Sequence, residues 1–188
     1  MNLVLGLGNP SPRYETTRHN LGFLVVDSLA DKYKIKLDQH QHRALSGRGE
    51  IEGHPVVVSK AMTYMNESGS AARALLQALD LSPERMIVVH DDIDLALGKI
   101  KVKFQGGNAG HGGVGSIIDR LETGRFARVR AGVGRPEENS DVVDYVLSPF
   151  PDEEIPAVNE MLDKAVRRIE EILKEMNTQI NHTEEQPE

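Results

Sequence analysis

Cysteine and tryptophan are absent from the 188 residues, and aromatic side chains make up only 4% of them. Without cysteine there is neither a disulfide framework nor a thiolate metal centre, which fits a reducing compartment. With so few aromatics, aliphatic side chains must fill the core, and a chain of this length buries a sizeable one within a single domain. No apolar run approaches the ~20 residues that span a bilayer. The apolar residues from Asn2 onward read as a first strand rather than a leader, so the expectation is a cytoplasmic protein with no membrane partner. No repeat and no dividing linker interrupts the pattern. One domain is expected over residues 1–176, followed by a polar tail, 177–188, expected to be disordered.

Positive charge is also scarce, with a net charge of −7, which speaks against a generic nucleic-acid binder. Its distribution says more. Between Lys99 and Arg135 stand eight basic residues (Lys99, Lys101, Lys103, Arg120, Arg125, Arg128, Arg130 and Arg135) against Asp119 and Glu122. Residues 136–188 carry 15 acidic and 4 basic residues. Such asymmetry suggests one phosphate-attracting face on a body that repels phosphate elsewhere. A merely solvated strand followed by an acidic tail is the plainer reading.

Apolar runs mark strands at Asn2–Leu7, Arg43–Ile51, Pro55–Lys60, Met86–His90 and Arg128–Val133, with a tight turn at Glu52-Gly53-His54. Lys99–Phe104 alternates basic and apolar residues, which places its lysines on one face. Helical spacing follows at Leu21–Tyr33, after a cap at Asn66 or Ser68, at Val114–Leu121, at Asp141–Leu147 behind Ser140, and at Ala157–Met176. Strands alternating with helices predict an α/β fold, a mixed β-sheet with helices on both faces.

Three segments carry the chemistry. The first, YETTRHNLG (14–22), follows the glycine turn Gly6-Leu7-Gly8-Asn9-Pro10 and sets His19 on the rim of the sheet, where open α/β folds place their sites. An acidic run, Asp91-Asp92, ends the buried strand Met86–His90 in the second, VVHDDIDLALGKIKVKFQGGNAGHGG (88–113). A carboxylate accepting from one ring nitrogen of His19 would leave the other free as a base. Asn9 suits a turn, and its carboxamide also suits a developing oxyanion. The same turn makes a poor nucleotide loop, since GLGNPS lacks the third glycine and Pro10 has no N–H. The third segment, KAMTYMNESG (60–69), puts Met65-Asn66 between a strand and a helix, as core residue and cap or as substrate contacts. Gly106–Gly113 is either a plain loop or an anion-binding turn with His111 in it. Asp91, Asp92 and Asp94 could gather Mg²⁺. With no cysteine, no HExxH and no second ligand cluster, no metal and no cofactor is expected.

Together these segments resemble the bacterial peptidyl-tRNA hydrolases, over roughly Asn2 to Val146. The resemblance implies hydrolysis of the ester between a peptide and the ribose of tRNA. His19 would activate water, Asp91 orient it, and Asn9 steady the developing charge. Met65 and Asn66 would touch the peptide, with Tyr14 and His111 beside them, and Tyr14 and Arg18 would support His19. Lys101, Lys103 and Arg130 would contact tRNA phosphates near the acceptor stem, with Arg128 and Arg135 extending the patch, and the protein would act as a monomer. Residues 139–150 would form a mobile lid. One departure stands out: many members read His-Asn-Gly followed by an apolar and a basic residue, whereas this chain has His111-Gly112-Gly113-Val114-Gly115. Asn108 is the neighbour able to supply a carboxamide in place of the missing one. The rival implied by the resemblance is a non-catalytic RNA-binding protein on the same scaffold.

Overall fold

In chain order the elements are β1 (Asn2–Gly6), α1 (Leu21–Lys32), β2 (Gln39–Gln41), β3 (Ala44–Ile51), β4 (His54–Ala61), α2 (Ser68–Leu79), β5 (Met86–Asp92), β6 (Ile100–Lys103), α3 (Gly112–Leu121), β7 (Ala127–Gly132), α4 (Val142–Val146) and α5 (Ile155–Glu184). They belong to a computed structural model that describes residues 1–184, with side chains through Thr178. The strands form one seven-stranded sheet in the order β2-β3-β4-β1-β5-β7-β6. Its four central strands, β4, β1, β5 and β7, run parallel, and β2, β3 and β6 are antiparallel to their neighbours. β1 and β5 are buried along their whole length, which is why both read as continuous apolar runs rather than alternations.

One face of the sheet is covered by α1 and α5, through Val25, Val26, Leu29, Val166, Ile169 and Leu173. The other is covered by α2 and α3, through Ala72, Leu75, Leu76, Val114 and Ile117. Helices therefore lie on both faces, as expected, and aliphatic side chains fill both layers. Gly22 sets the depth of α1. A Cβ there would fall 2.4 Å from the carbonyl oxygen of Val89 and 2.5 Å from the amide nitrogen of Leu7, so only glycine lets the helix start this close to β1 and β5.

Several boundaries differ from the expectation. β2 is short, polar and fully exposed, so no hydrophobic pattern marks it. Asp141, not Ser140, caps α4, accepting from the Val143 and Asp144 amides. Neither Asn66 nor Ser68 caps α2; a 3-10 turn, Met65–Glu67, leads into the helix and the Ser68 hydroxyl donates back to the Met65 carbonyl. Helix α5 continues through Glu184, into the tail expected from residue 177. Asn177 helps to hold it, donating to the Leu173 carbonyl while its Oδ1 accepts from Arg85. Residues 185–188 of that expected tail lie outside the described residues.

Candidate active site

β1 lies between β4 and β5, and the chain leaves its C-terminal end toward β4 before crossing back to β5. This reversal opens a crevice at the carboxyl ends of β1 and β5, the usual place for a site in such sheets. A 3-10 turn, Arg18–Asn20, carries His19 to that edge, and β5 delivers Asp91 to it. His19 Nδ1 lies 3.0 and 2.9 Å from the two carboxylate oxygens of Asp91. The imidazole is 17% exposed and the carboxylate 2%. Burial alone would raise the Asp91 pKa. The nearby His111 and the hydrogen bonds from His111 and His19 outweigh it and hold the carboxyl well below its usual range. An ionised Asp91 keeps the ring proton of His19 on Nδ1, and Nε2 then has an unprotonated lone pair with no protein partner among the described residues.

His111 joins the pair from the other side. Its Nε2 is 2.9 Å from Asp91 Oδ1, and its Nδ1 accepts the amide of Val114 at 3.2 Å in the first turn of α3. That acceptance fixes the tautomer, because Nδ1 must be bare and the proton must sit on Nε2. A third ring, His90, packs edge-on against His111 with centroids 4.6 Å apart and donates from Nδ1 to the Asp91 carbonyl at 2.7 Å. His19, Asp91 and His111 place their ligand atoms within 4.8 Å of one another, close enough in principle for a metal ion. A metal on His111 Nε2 would have to displace the proton that the Val114 contact keeps there, so the donor set fits a hydrogen-bonded cluster better than a metal centre. The three carboxylates that could have gathered Mg²⁺ part company. Asp92 pairs with Arg130 at 2.7 Å, Asp94 pairs with Arg135, and Asp91 serves the histidines.

The cluster opens into a cavity of about 390 Å³. Asn108, Gly110, Gly112 and Arg135 line it together with the apolar Ile93, Val142, Val143 and Val146. The three valines come from α4, and the segment that follows it is tied to the base of the site by Arg18. This buried guanidinium donates to the Ser148 hydroxyl at 2.7 Å and the Pro149 carbonyl at 2.8 Å, pairs with Glu154 at 2.9 Å, and lies over the rings of Tyr145 and Phe150.

A model of the peptidyl-tRNA hydrolase family matches residues 3–188. The chain belongs to the peptidyl-tRNA hydrolase family. A peptidyl-tRNA hydrolase of Bacillus subtilis is 42% identical over 188 residues, spanning 96% of this chain and all of that protein. Another, from Lachnoclostridium phytofermentans, is 42% identical over 175 residues, 93% of this chain and 92% of its own. Among solved structures, the peptidyl-tRNA hydrolase of Acinetobacter baumannii superposes with a TM-score of 0.87 at 36% identity, covering 95% of this chain and 91% of its own.

Within this peptidyl-tRNA hydrolase framework the expected residues are only partly assembled around the cavity. Asn9 lines a different, smaller hollow of about 180 Å³, with Asn20 and Met62. Its Oδ1 accepts the Met65 amide at 2.9 Å, and its backbone exchanges hydrogen bonds with the Asn20 side chain at 2.8 and 2.9 Å. The Asn9 oxygen is thus spent and its NH₂ remains to donate. Met65 is buried beside His111: a Cβ on Gly113 would come 2.5 Å from its sulfur and 3.2 Å from His111 Cε1. Asn66 is exposed and lines a separate polar depression with Arg43 and Arg120. Tyr14 lines neither the His19 cavity nor that hollow; Arg13 lies over its ring.

Ile100 and Val102 pack into the α1/α5 layer, so Lys101 and Lys103 face the α2/α3 side, opposite Arg130 and Arg128 respectively. Lys101 is exposed and Arg130 partly so. Arg128 is corrected from surface residue to buried clamp. It is 2% exposed and donates to the carbonyls of Gly106, Gly107 and Gly124. The alternation Arg128-Val129-Arg130 reads as two solvated cations, and the local pattern holds no sign that a loop some twenty residues upstream satisfies the first.

Proposed function

We propose that this chain hydrolyses the ester that joins a peptide to the ribose of tRNA, with His19 as general base. The observation that carries the reading is the hydrogen bond of His19 Nδ1 to the buried Asp91 carboxylate, because it leaves Nε2 free at the cavity. Nε2 takes a proton from water as the water oxygen bonds to the ester carbonyl carbon. The carbonyl oxygen gains negative charge, which the Asn9 NH₂ is suited to receive. When the tetrahedral centre collapses, the bond from carbon to ribose oxygen breaks and His19 returns its proton to that oxygen. Water adds OH to the peptide and H to tRNA, and no covalent enzyme intermediate forms.

Met65 and Asn66 hold the peptide portion; His111, which lines the cavity, packs beside it, and Tyr14, which lines neither hollow, meets it only beyond the site. A donor set built for a peptide backbone penalises an aminoacyl-tRNA that lacks one. Lys101, Lys103 and Arg130 receive acceptor-stem phosphates, contacts that give affinity without reading bases. The protein acts in the cytoplasm as a monomer, and among the described residues no helix is long and apolar enough to cross a membrane. A purely RNA-binding role on this scaffold would not require a base and its buried carboxylate partner, so their pairing favours hydrolysis.

The test is release of peptide from peptidyl-tRNA by the His19→Ala variant. Turnover should fall ~10²–10⁴-fold, the usual contribution of general-base assistance. Turnover near that of the unaltered chain would overturn the assignment.

A further inference from the structure

The loop before α3 turns back on itself through three residues with positive φ, Gly106 at 123°, Ala109 at 49° and Gly110 at 82°. Asn108 sits inside the bend. Its backbone carbonyl accepts the His111 amide at 3.0 Å and its Oδ1 accepts the Gly110 amide at 3.2 Å. The side-chain oxygen is therefore occupied, which orients the carboxamide, and its Nδ2 has no protein partner among the described residues. Asn108 also lines the cavity that contains His19 and Asp91.

Two glycines of α3 decide where that amide can be. A Cβ on Gly115 would lie 2.7 Å from Asn108 Nδ2, so any larger residue there would push the carboxamide off the helix. A Cβ on Gly112 would meet nothing within 4 Å, so the cavity wall is bare at that point. Gly115 makes room for one specific side chain, and Gly112 leaves that side chain without a competitor at the wall.

We propose that Asn108 is a substrate-positioning residue of this chain, whose free NH₂ donates to a carbonyl oxygen of the peptide bound beside His19, and that Gly115 is the residue that permits it. The proposal rests on the hydrolase reading. Ile93, Val142, Val143 and Val146, which line the same cavity, offer a peptide carbonyl no side-chain donor, and Arg135, which lines it too, is paired with Asp94. A carbonyl drawn into the cavity without a partner would lose its hydrogen bond to water, and a donor on the loop side removes that penalty.

The experiment measures kcat and KM separately for hydrolysis of an N-acetyl-aminoacyl-tRNA. Asn108→Ala should raise KM about tenfold, the worth of one well-placed hydrogen bond, and leave kcat largely unchanged. Gly115→Ala, which adds a methyl group outside the cavity, should reproduce that increase by displacing the carboxamide. Combining it with Asn108→Ala should then cost nothing further. Gly112→Asn, whose side chain has open space to enter, should recover much of the loss in the Asn108→Ala background. Asn108 is exposed, so Asn108→Ala should melt like the unaltered chain, and its kinetics decide the matter even where Gly115→Ala folds poorly. Hydrolysis unaffected by Asn108→Ala would overturn this proposal alone. No hydrolysis by the unaltered chain would overturn both it and the hydrolase reading.

Discussion

His90 shows how much a single buried ring can say about the conditions under which this site holds together. Only 4% exposed, it has its pKa pushed down to about 3, first by burial and next by the neighbouring His111. Its Nε2 has no hydrogen-bond partner among the described residues. In the unfolded chain the same ring takes a proton near pH ~6.5. Between those two values the unfolded state binds the extra proton and the folded state refuses it, so stability rises with pH and falls on acidification. By pH 5 the loss from this residue comes to about 2 kcal/mol. Asp91 acts at a lower pH. Its depressed pKa adds stability above the ordinary carboxylate range, and that contribution is lost as pH falls below ~4. Chemical denaturation followed between pH 7 and 5 should therefore show a slope close to one proton from His90. His90→Asn, which keeps a donor near the Nδ1 position without a titrating ring, should flatten it. An unchanged slope in that variant would place the acid sensitivity elsewhere. At this scale the sequence was only partly legible. The location of His19 behind a glycine turn and of Asp91 at a strand end could be read directly. The bond from His111 to Asp91 could not, because it depends on how a loop twenty residues away folds back.

Arg128 tests what the glycine loop contributes as an element. One guanidinium holds the carbonyls of Gly106 and Gly107 to that of Gly124, and the loop then delivers Asn108 and His111 to the cavity. Replacing a side chain that makes several buried hydrogen bonds to backbone oxygen typically costs ~1–3 kcal/mol. Arg128→Met should lower the melting temperature by roughly 2–10 °C for a chain of this size. It should also raise amide hydrogen exchange across residues 106–111 beyond the change seen elsewhere. Uniform exchange across the protein would mean that Arg128 supports the sheet alone. Element boundaries were legible wherever one layer of apolar residues decided them, as in β1, β5 and α1. They were not legible where polar atoms did, which is why β2, the cap of α4 and the far end of α5 departed from expectation. In the segment 139–150, for which the resemblance implies a mobile lid, Arg18 fastens residues 148 and 149 to the turn that carries His19, and the exposed Val142 and Val143 lie at the other end.

Across the whole molecule, charge divides along lines that the chain itself announces, with basic residues on β6 and β7 and acidic ones from residue 136 onward. Lys101 and Arg130 are cross-strand neighbours, as are Lys103 and Arg128. Like charges set opposite each other weaken a sheet, and a ligand phosphate would relieve the repulsion. If these side chains meet phosphates, kcat/KM should fall steeply as salt rises. Lys101→Ala should reduce the slope of log kcat/KM against log salt by about 1, with a similar loss for every tRNA tried. An unaltered slope would remove Lys101 from the contact. The architecture as a whole was the most legible feature, since alternating strand and helix periods leave few ways to build a sheet with both faces covered. The Arg18 fastening has one last consequence. Arg18, adjacent to the base, is bonded to the segment that follows α4, so a displacement of that segment would be transmitted to the turn that carries the imidazole. A substrate that pressed this segment outward would in that sense also load the turn that aligns the ring.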